Sequence, residues 1–324
     1  MIGRLAPSPT GAQHLGNART FLIAWLLCRR QGGQLWLRIE DLETPRVKGW
    51  ATAQAIEDLR WLGLDWDVWG EGPTDFGEIR QSHRLARYRQ VLGELKLREL
   101  VYPCTCTRSE VEAMAGAPHE PRLDGPIYPG TCAGRSAGEA EELSRRGIAF
   151  AWRFRMPAVR LGFIDQFAGE QALRDAASDL GDFVVGRSQG GIAYQLAVVV
   201  DDHDMHVDHV VRGDDLLLST FRQLAIYQAL RWPVPDFCHL PLVVGSDGRR
   251  LAKRHGDTRL SLLREAGVPA ARMIGYLAWQ SGIQTCWESR SPAELLGCDP
   301  LVNLPTEPLV FAAADAVAFF RTGC

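Results

Sequence analysis

Apolar positions along the chain change their spacing several times, and each change marks an element. A short apolar start gives way to Pro7-Ser8-Pro9-Thr10-Gly11, whose prolines and glycine preclude a regular element. Leu15, Ala18, Leu22 and Leu26 then recur at helical spacing, which predicts a helix over about 14–30, stopped by Gly32-Gly33. Residues 34–39 read as a strand ending at Glu40-Asp41, and 47–62 as a second amphipathic helix. Strand, helix and strand in this order make one βαβ unit, which implies a parallel sheet.

Between 101 and 135 the pattern dissolves into Cys, Pro, Gly and Tyr, which reads as an inserted small module. Residues 151–155 read as a strand within or after it. The run Ile192-Ala193-Tyr194-Gln195-Leu196-Ala197-Val198-Val199-Val200 is nearly all apolar, as in a central parallel strand buried on both faces, and it ends in Asp201-Asp202. A helix is predicted over 216–230 and a strand over 240–244. Beyond Gly256 the chain reads as mostly helical.

Composition narrows the setting. At 46% hydrophobic and 23% charged residues the chain is an ordinary globular one. No apolar core follows a basic start, and no run reaches bilayer length, so the expected place is the cytoplasm, with no membrane partner. A net charge of -3 with a pI near 6.3 counts against a large RNA footprint. RNA contact is then expected to be local, through Arg249, Arg250, Lys253 and Arg254. Eight cysteines are too scattered for a disulfide framework, but Cys104, Cys106 and Cys132 gather in one stretch and suggest a metal. Thiolates at 104 and 106 can reach one tetrahedral ion, Cys132 closes the module, and metal chemistry alone makes His119 the fourth ligand.

Two motifs carry chemistry. In Arg4-Leu-Ala-Pro-Ser8-Pro-Thr-Gly11-Ala-Gln-His14-Leu-Gly16-Asn17 a strand meets a turn and a helix opens. The unpaired N–H groups there suit phosphate oxygens, the glycines admit a nucleotide closely, and His14 can donate to a phosphate. The second motif, Gly248-Arg249-Arg250-Leu251-Ala252-Lys253-Arg254-His255-Gly256, is a glycine-bounded basic loop that can set Lys253 on phosphates. Alone, each also reads as a plain βα turn or a solvated charge run. His203, His206 and His209 lie among Asp201, Asp202, Asp204 and Asp208, which reads first as a polar turn and second as a metal group.

Together the motifs resemble the class I aminoacyl-tRNA synthetases of the glutamyl and glutaminyl branch. His14-Leu15-Gly16-Asn17 stands where that family has its HIGH signature, with Asn17 in place of the second His. Arg250-Leu251-Ala252-Lys253-Arg254 stands where it has KMSKS, with Ala252 in the serine position and Arg250 in the leading lysine position. Arg38-Ile39-Glu40-Asp41, residues 197–203 and Val210-Val211-Arg212-Gly213-Asp214-Asp215-Leu216 look like the glutamate-activating enzymes, and the likeness spans about residues 1–256. It implies an α/β fold: a Rossmann-like parallel-sheet nucleotide-binding domain in halves 1–98 and 191–256, an insertion at 99–190 bearing zinc, and a short helical region at 257–324.

By the same resemblance, Arg4, Leu5, Ala6, Pro7 and Ser8, with Glu40, Tyr194 and Arg212, hold L-glutamate. The arginines take carboxylates and Glu40 the ammonium group. His14, Gly16, Asn17 and Lys253 hold ATP with its Mg2+, and His14 and Lys253 assist catalysis. Tyr128-Pro-Gly-Thr-Cys132 resembles the zinc site of a truncated paralogue, so Cys104, Cys106, Tyr128 and Cys132 become the expected ligands of one structural Zn2+, with His119 the alternative. Too few residues follow the Lys253 loop for an anticodon-binding domain. The truncated members attach glutamate to queuosine in the anticodon of tRNA(Asp), and this monomeric activity is the expectation. Alternatives are a minimal glutamyl-tRNA(Glu) synthetase and a non-catalytic paralogue that binds RNA or a partner.

Overall fold

The computed structural model describes residues 1–42, 47–70, 77–114, 126–249, 251, 258–313 and 315–322. Twelve strands lie among them: β1 (Ile2–Leu5), β2 (Gln34–Ile39), β3 (Ile79–Arg80), β4 (Val101–Cys104), β5 (Ala151–Phe154), β6 (Leu161–Asp165), β7 (Gly169–Leu173), β8 (Phe183–Arg187), β9 (His209–Gly213), β10 (Asp236–Leu240), β11 (Val243–Val244) and β12 (Leu309–Val310). The helices are α1 (Leu15–Arg29), α2 (Ala51–Trp61), α3 (Leu85–Leu97), α4 (Arg108–Met114), α5 (Glu139–Arg145), α6 (Ala176–Leu180), α7 (Tyr194–Asp204), α8 (Leu217–Leu230), α9 (Leu260–Glu265), α10 (Ala270–Gln280) and α11 (Ala316–Thr322).

The expected βαβ unit forms: β1 and β2 are parallel neighbours joined by α1, and β3 adds outside β2. A second sheet has the order β7-β6-β10-β9, with β10 parallel to both β6 and β9. The two sheets meet where Asp208 N–H donates to the Ile2 carbonyl at 3.0 Å and Arg4 Nη1 donates to the Val211 carbonyl at 3.0 Å. Helix α1 is a central packing element, with Leu15, Ala18, Leu22, Ile23 and Leu26 fully buried.

The stretch 99–190 divides its strands between two sheets. β4, β5 and β8 form a separate antiparallel sheet, whereas hairpin β6–β7 joins the core layer beside β10. Phe237 faces Asp165 in register, and Gln166 N–H donates to the Phe237 carbonyl at 2.8 Å.

The apolar run 192–200 is not a strand. It supplies most of α7, and Leu196 to Val200 are fully buried within it. Continuous apolarity has no period, so it suits a helix packed all round as well as a two-faced strand. The acidic tail decides the matter. One turn of helix sets Asp201 and Asp204 on the same side, where the Arg84 guanidinium meets Asp201 Oδ1 and Asp204 Oδ2 at 2.6 Å each. A strand would send neighbouring carboxylates to opposite faces and leave such pairing unmade.

Three further differences are local. Helix α2 begins at Ala51 rather than near 47. Residues 240–244 do not form one strand, because Pro241 and Leu242 part β10 from β11. Beyond Thr258 the chain is helical only in short pieces. It packs Leu260, Leu263, Met273, Leu277, Phe311 and Phe320 into the same core as α1, and β12 pairs with β11. No helix among the described residues is long and apolar enough to cross a membrane.

Candidate active site

The first motif is a turn pinned at both ends. Glu40 N–H donates to the Pro7 carbonyl at 3.1 Å and Lys48 N–H to the Pro9 carbonyl at 3.0 Å, tying the turn to the end of β2. His14 then caps α1. Its Nδ1 accepts from Gly16 N–H at 3.1 Å, and its own N–H donates to Asn17 Oδ1 at 3.1 Å. Because Nδ1 is an acceptor, the neutral ring carries its proton on Nε2. No acidic residue occupies the first turn, so the helix terminus keeps its partial positive charge. Gly16 is needed here: a Cβ would lie 3.0 Å from His14 Cε1 and 3.1 Å from Nδ1.

This turn borders a cavity of about 490 Å³, within the usual range for a small-molecule site. Arg4, Ala6, Pro7 and Ser8 line it, as do His14, Gly16 and Asn17. Glu40, Tyr194 and Arg212 reach the same space from the ends of β2, α7 and β9. Leu5 does not line it. Strand alternation turns its side chain to the opposite face, where it is fully buried in the core. Sequence reading passed over other walls, among them Gln13, Phe21, Leu242 and Val243. Gly213 also lines the cavity, and a Cβ there would come within 2.6 Å of Asp215 Oδ1. Its place inside the Arg212-Gly213-Asp214-Asp215 motif was the available signal.

Beneath the cavity lies a buried charge network that spacing does not announce. Arg38, fully buried, donates to Asp202 Oδ1 at 2.5 Å and to Glu40 Oε1 at 3.3 Å. Arg4 Nε stands 3.7 Å from the same Asp202 oxygen. Burial works against the charge on Arg38, but Asp202, Glu40 and Asp201 together raise its pKa well above the ordinary value. Burial lowers the pKa of Arg4 and raises that of Glu40, the latter opposed by Arg38 and Arg4. The Tyr194 phenol is pushed up, chiefly by burial and then by Glu40. Arg212 is held by neutral groups, and its Nη1 is buried without a hydrogen-bond partner among the described residues. The site therefore presents fixed cationic edges in a cavity that is also lined by the carboxylates of Glu40 and Asp215. Such a set matches a zwitterion with a second carboxylate.

Lys253 and its neighbours Arg250, Ala252 and Arg254 lie outside the described residues, as does His119. The ends of that loop are nonetheless set against the first motif. Leu251 is buried, and Leu260 N–H donates to the Gln13 carbonyl at 2.9 Å, one residue from His14.

The cysteine cluster forms a second, separate centre. The sulfurs of Cys104, Cys106 and Cys132 lie within 4.8 Å of one another. Tyr128 Oη is 3.3 Å from Cys104 Sγ and 3.6 Å from Cys106 Sγ, while Cys106 and Cys132 sulfurs are 3.7 Å apart. A tetrahedral ion about 2.3 Å from sulfur and about 2.0 Å from oxygen would separate its ligands by roughly 3.8 Å and 3.5 Å. The observed spacings fit that geometry. Oη also accepts from Cys132 N–H at 2.8 Å, and the Arg153 guanidinium sits 3.8 Å from the Tyr128 ring centroid. No other metal-capable group occurs among the described residues: His203 stacks on Trp232, and His209 bonds Gln166.

Comparison with known proteins agrees with this architecture. Residues 1–289 match the family "tRNA synthetases class I (E and Q), catalytic domain", which defines the class: a ligase of the aminoacyl-tRNA synthetase type on an α/β catalytic domain. A glutamyl-Q tRNA(Asp) synthetase of Rhodopirellula baltica is 51% identical over 292 residues, covering 87% of this chain and 85% of that protein. Another, of Symbiobacterium thermophilum, is 47% identical over 321 residues, 98% of each. The crystal structure of a glutamate tRNA ligase from Elizabethkingia meningosepticum, in complex with its amino acid, superposes with a TM-score of 0.80 at 26% identity, covering 97% of this chain and 67% of that one. The chain belongs to this class I synthetase family, in its glutamyl-Q tRNA(Asp) synthetase branch.

Proposed function

We propose that this protein activates L-glutamate with Mg2+-ATP in the absence of tRNA and then transfers the glutamyl group to queuosine in the anticodon of tRNA(Asp). The observation that carries the reading is the convergence of Arg4, Glu40, Tyr194 and Arg212 on one cavity at the N-terminus of α1. In the first step a glutamate carboxylate oxygen attacks the α-phosphorus of ATP, and the bond to pyrophosphate breaks. Arg4 and Arg212, with Ser8 and Tyr194, hold the carboxylates, and Glu40 takes the ammonium group. The positive end of α1 beside Gly16 and Asn17, His14 Nε2–H and Lys253 stabilise charge moving onto the leaving pyrophosphate. In the second step a queuosine hydroxyl attacks the activated carbonyl and AMP departs.

The Cys104, Cys106, Tyr128 and Cys132 donors fit one Zn2+, which would cross-link the loops that carry them. Nothing in their geometry leaves a coordination position for substrate, so the ion is structural. The reading places the enzyme in the cytoplasm as a monomer without a membrane partner.

ATP–pyrophosphate exchange with glutamate and no tRNA tests the first step, and strict dependence on tRNA would overturn it. Mass spectrometry of queuosine-containing tRNA(Asp) after incubation with ATP and labelled glutamate tests the second. Charging of tRNA(Glu) instead would establish a minimal glutamyl-tRNA synthetase. Lys253→Ala should slow exchange about a hundredfold or more. Exchange unchanged by that substitution would remove Lys253 from the step, and no exchange by the parent protein would leave the non-catalytic paralogue.

A further inference from the structure

Arg212 is gripped on two of its three nitrogens. Its Nε donates to His239 Nε2 at 3.1 Å, and Nη2 donates to Thr220 Oγ1 at 2.6 Å and Gln223 Oε1 at 2.9 Å. His239 Nε2, which also lies 2.9 Å from Thr220 Oγ1, accepts from Arg212 Nε only as a bare nitrogen, so the ring proton belongs on Nδ1, where Asp165 can accept from it. That atom lies 2.6 Å from Asp165 Oδ2, and both side chains are fully buried. Asp165 is itself held, because its carboxylate accepts backbone N–H groups of Phe167 (3.0 Å), Ala168 (2.8 Å) and His239 (3.1 Å). Burial lowers the pKa of His239 although Asp165 opposes it, which favours the neutral ring that can accept.

We propose that Asp165 and His239 form a positioning pair that orients Arg212 and leaves Nη1 as the guanidinium edge offered to a substrate carboxylate. The inference rests on the reading of Arg212 as a glutamate ligand. The wrong tautomer would set His239 Nε2–H against Arg212 Nε–H, two donors face to face, and the guanidinium would turn away. Asp165 ends strand β6, so the hairpin of the 99–190 stretch that docks on the core sheet supplies a support for the amino-acid pocket.

The test measures tRNA-free ATP–pyrophosphate exchange for Asp165→Asn, His239→Gln, His239→Leu and Arg212→Lys, with glutamate and ATP varied separately and melting temperature followed. His239→Leu should raise KM for glutamate about tenfold to a hundredfold, the scale on which groups that orient metal ligands act. KM for ATP should stay within about twofold. His239→Gln, whose amide oxygen can accept from Nε, should recover part of the loss. Where Arg212→Lys has already removed the Nε donor, adding His239→Leu should cost less than about twofold more. Full additivity in that double variant, or equal rises in both KM values, would overturn the pair alone. An unchanged glutamate KM in Arg212→Lys would overturn the reading of the site and this inference with it. Should His239→Leu not fold, the nearly isosteric Asp165→Asn carries the same split between the two KM values.

Discussion

The amino-acid cavity and the cysteine cluster are both convergent sets of polar side chains, but they balance charge in opposite ways. Around the cavity every buried cation already has an answering group: Arg38 has Asp202 and Glu40, Arg4 has Asp202, and Arg212 has His239, Thr220 and Gln223. In the cluster three thiols and a phenol approach one another, with Arg153 stacked on the Tyr128 ring and Arg135 donating to Thr105 Oγ1 beside them, and no cation paired directly with a sulfur among the described residues. Preorganised opposite charge holds the cavity's side chains in place before anything binds. Three soft sulfur donors and a phenol oxygen gain most from an ion.

That contrast can be broken by experiment, beginning with the strongest effect. Arg4→Ala should lower kcat/KM for glutamate on the order of a thousandfold, since it strips a buried cation from Asp202 as well as from the substrate. Bound zinc should stay at one ion per chain by elemental analysis. Loss of zinc in that variant would show that the two centres are not independent. Cys132→Ser should do the reverse, taking the metal content from about one ion to none while exchange stays within about threefold. Gly16→Ala is milder. The added methyl presses on His14 and should lower kcat about tenfold with little change in glutamate KM. A larger rise in KM than fall in kcat would place His14 nearer the amino acid than the phosphates.

The smallest effect sharpens the comparison through pH. Asp58 on α2 is fully buried, and burial pushes its pKa up to about 7, opposed by Arg264 of α9 and helped by Glu57 and Glu265. The folded state therefore keeps a proton that the unfolded chain releases near its ordinary value. Stability from this group is present at low pH and is lost as pH rises from about 4 to about 7. Asp58→Asn should flatten that slope and raise the melting temperature at pH 8 by a few degrees, with little change at pH 4. A melting profile with the same pH slope as the parent would remove Asp58 as its source.

Much of the catalytic framework was legible because short-range rules govern it. The turn at 7–11, a helix opening near His14 and the βαβ start follow from glycine, proline and helical spacing, and all of them form. Residues adjacent in the motifs share the cavity because a strand end and a helix start bring them there. Leu5 was the exception, since a list by motif ignores the alternation that sends it inward. The stretch 192–200 was misread because an unbroken apolar run contains no period, and only partners for Asp201 and Asp204 select the helix. The tightness of the cluster also depended on folding, for Cys104 and Tyr128 are 24 positions apart.

By itself, the order of residues determined which groups this chain brings to the proposed chemistry: a helix start with His14, the arginines of two motifs and three clustered cysteines. Tertiary structure alone decided how those groups are aimed. Asp165 and His239 are 74 positions apart, His239 and Arg212 are 27 apart, and Arg38 meets Asp202 across 164. Pairings at such separations follow from sheet order and strand register, which no local spacing encodes. Burial then converts them into fixed tautomers and oriented charges, because a polar group removed from water must find its partner within the fold.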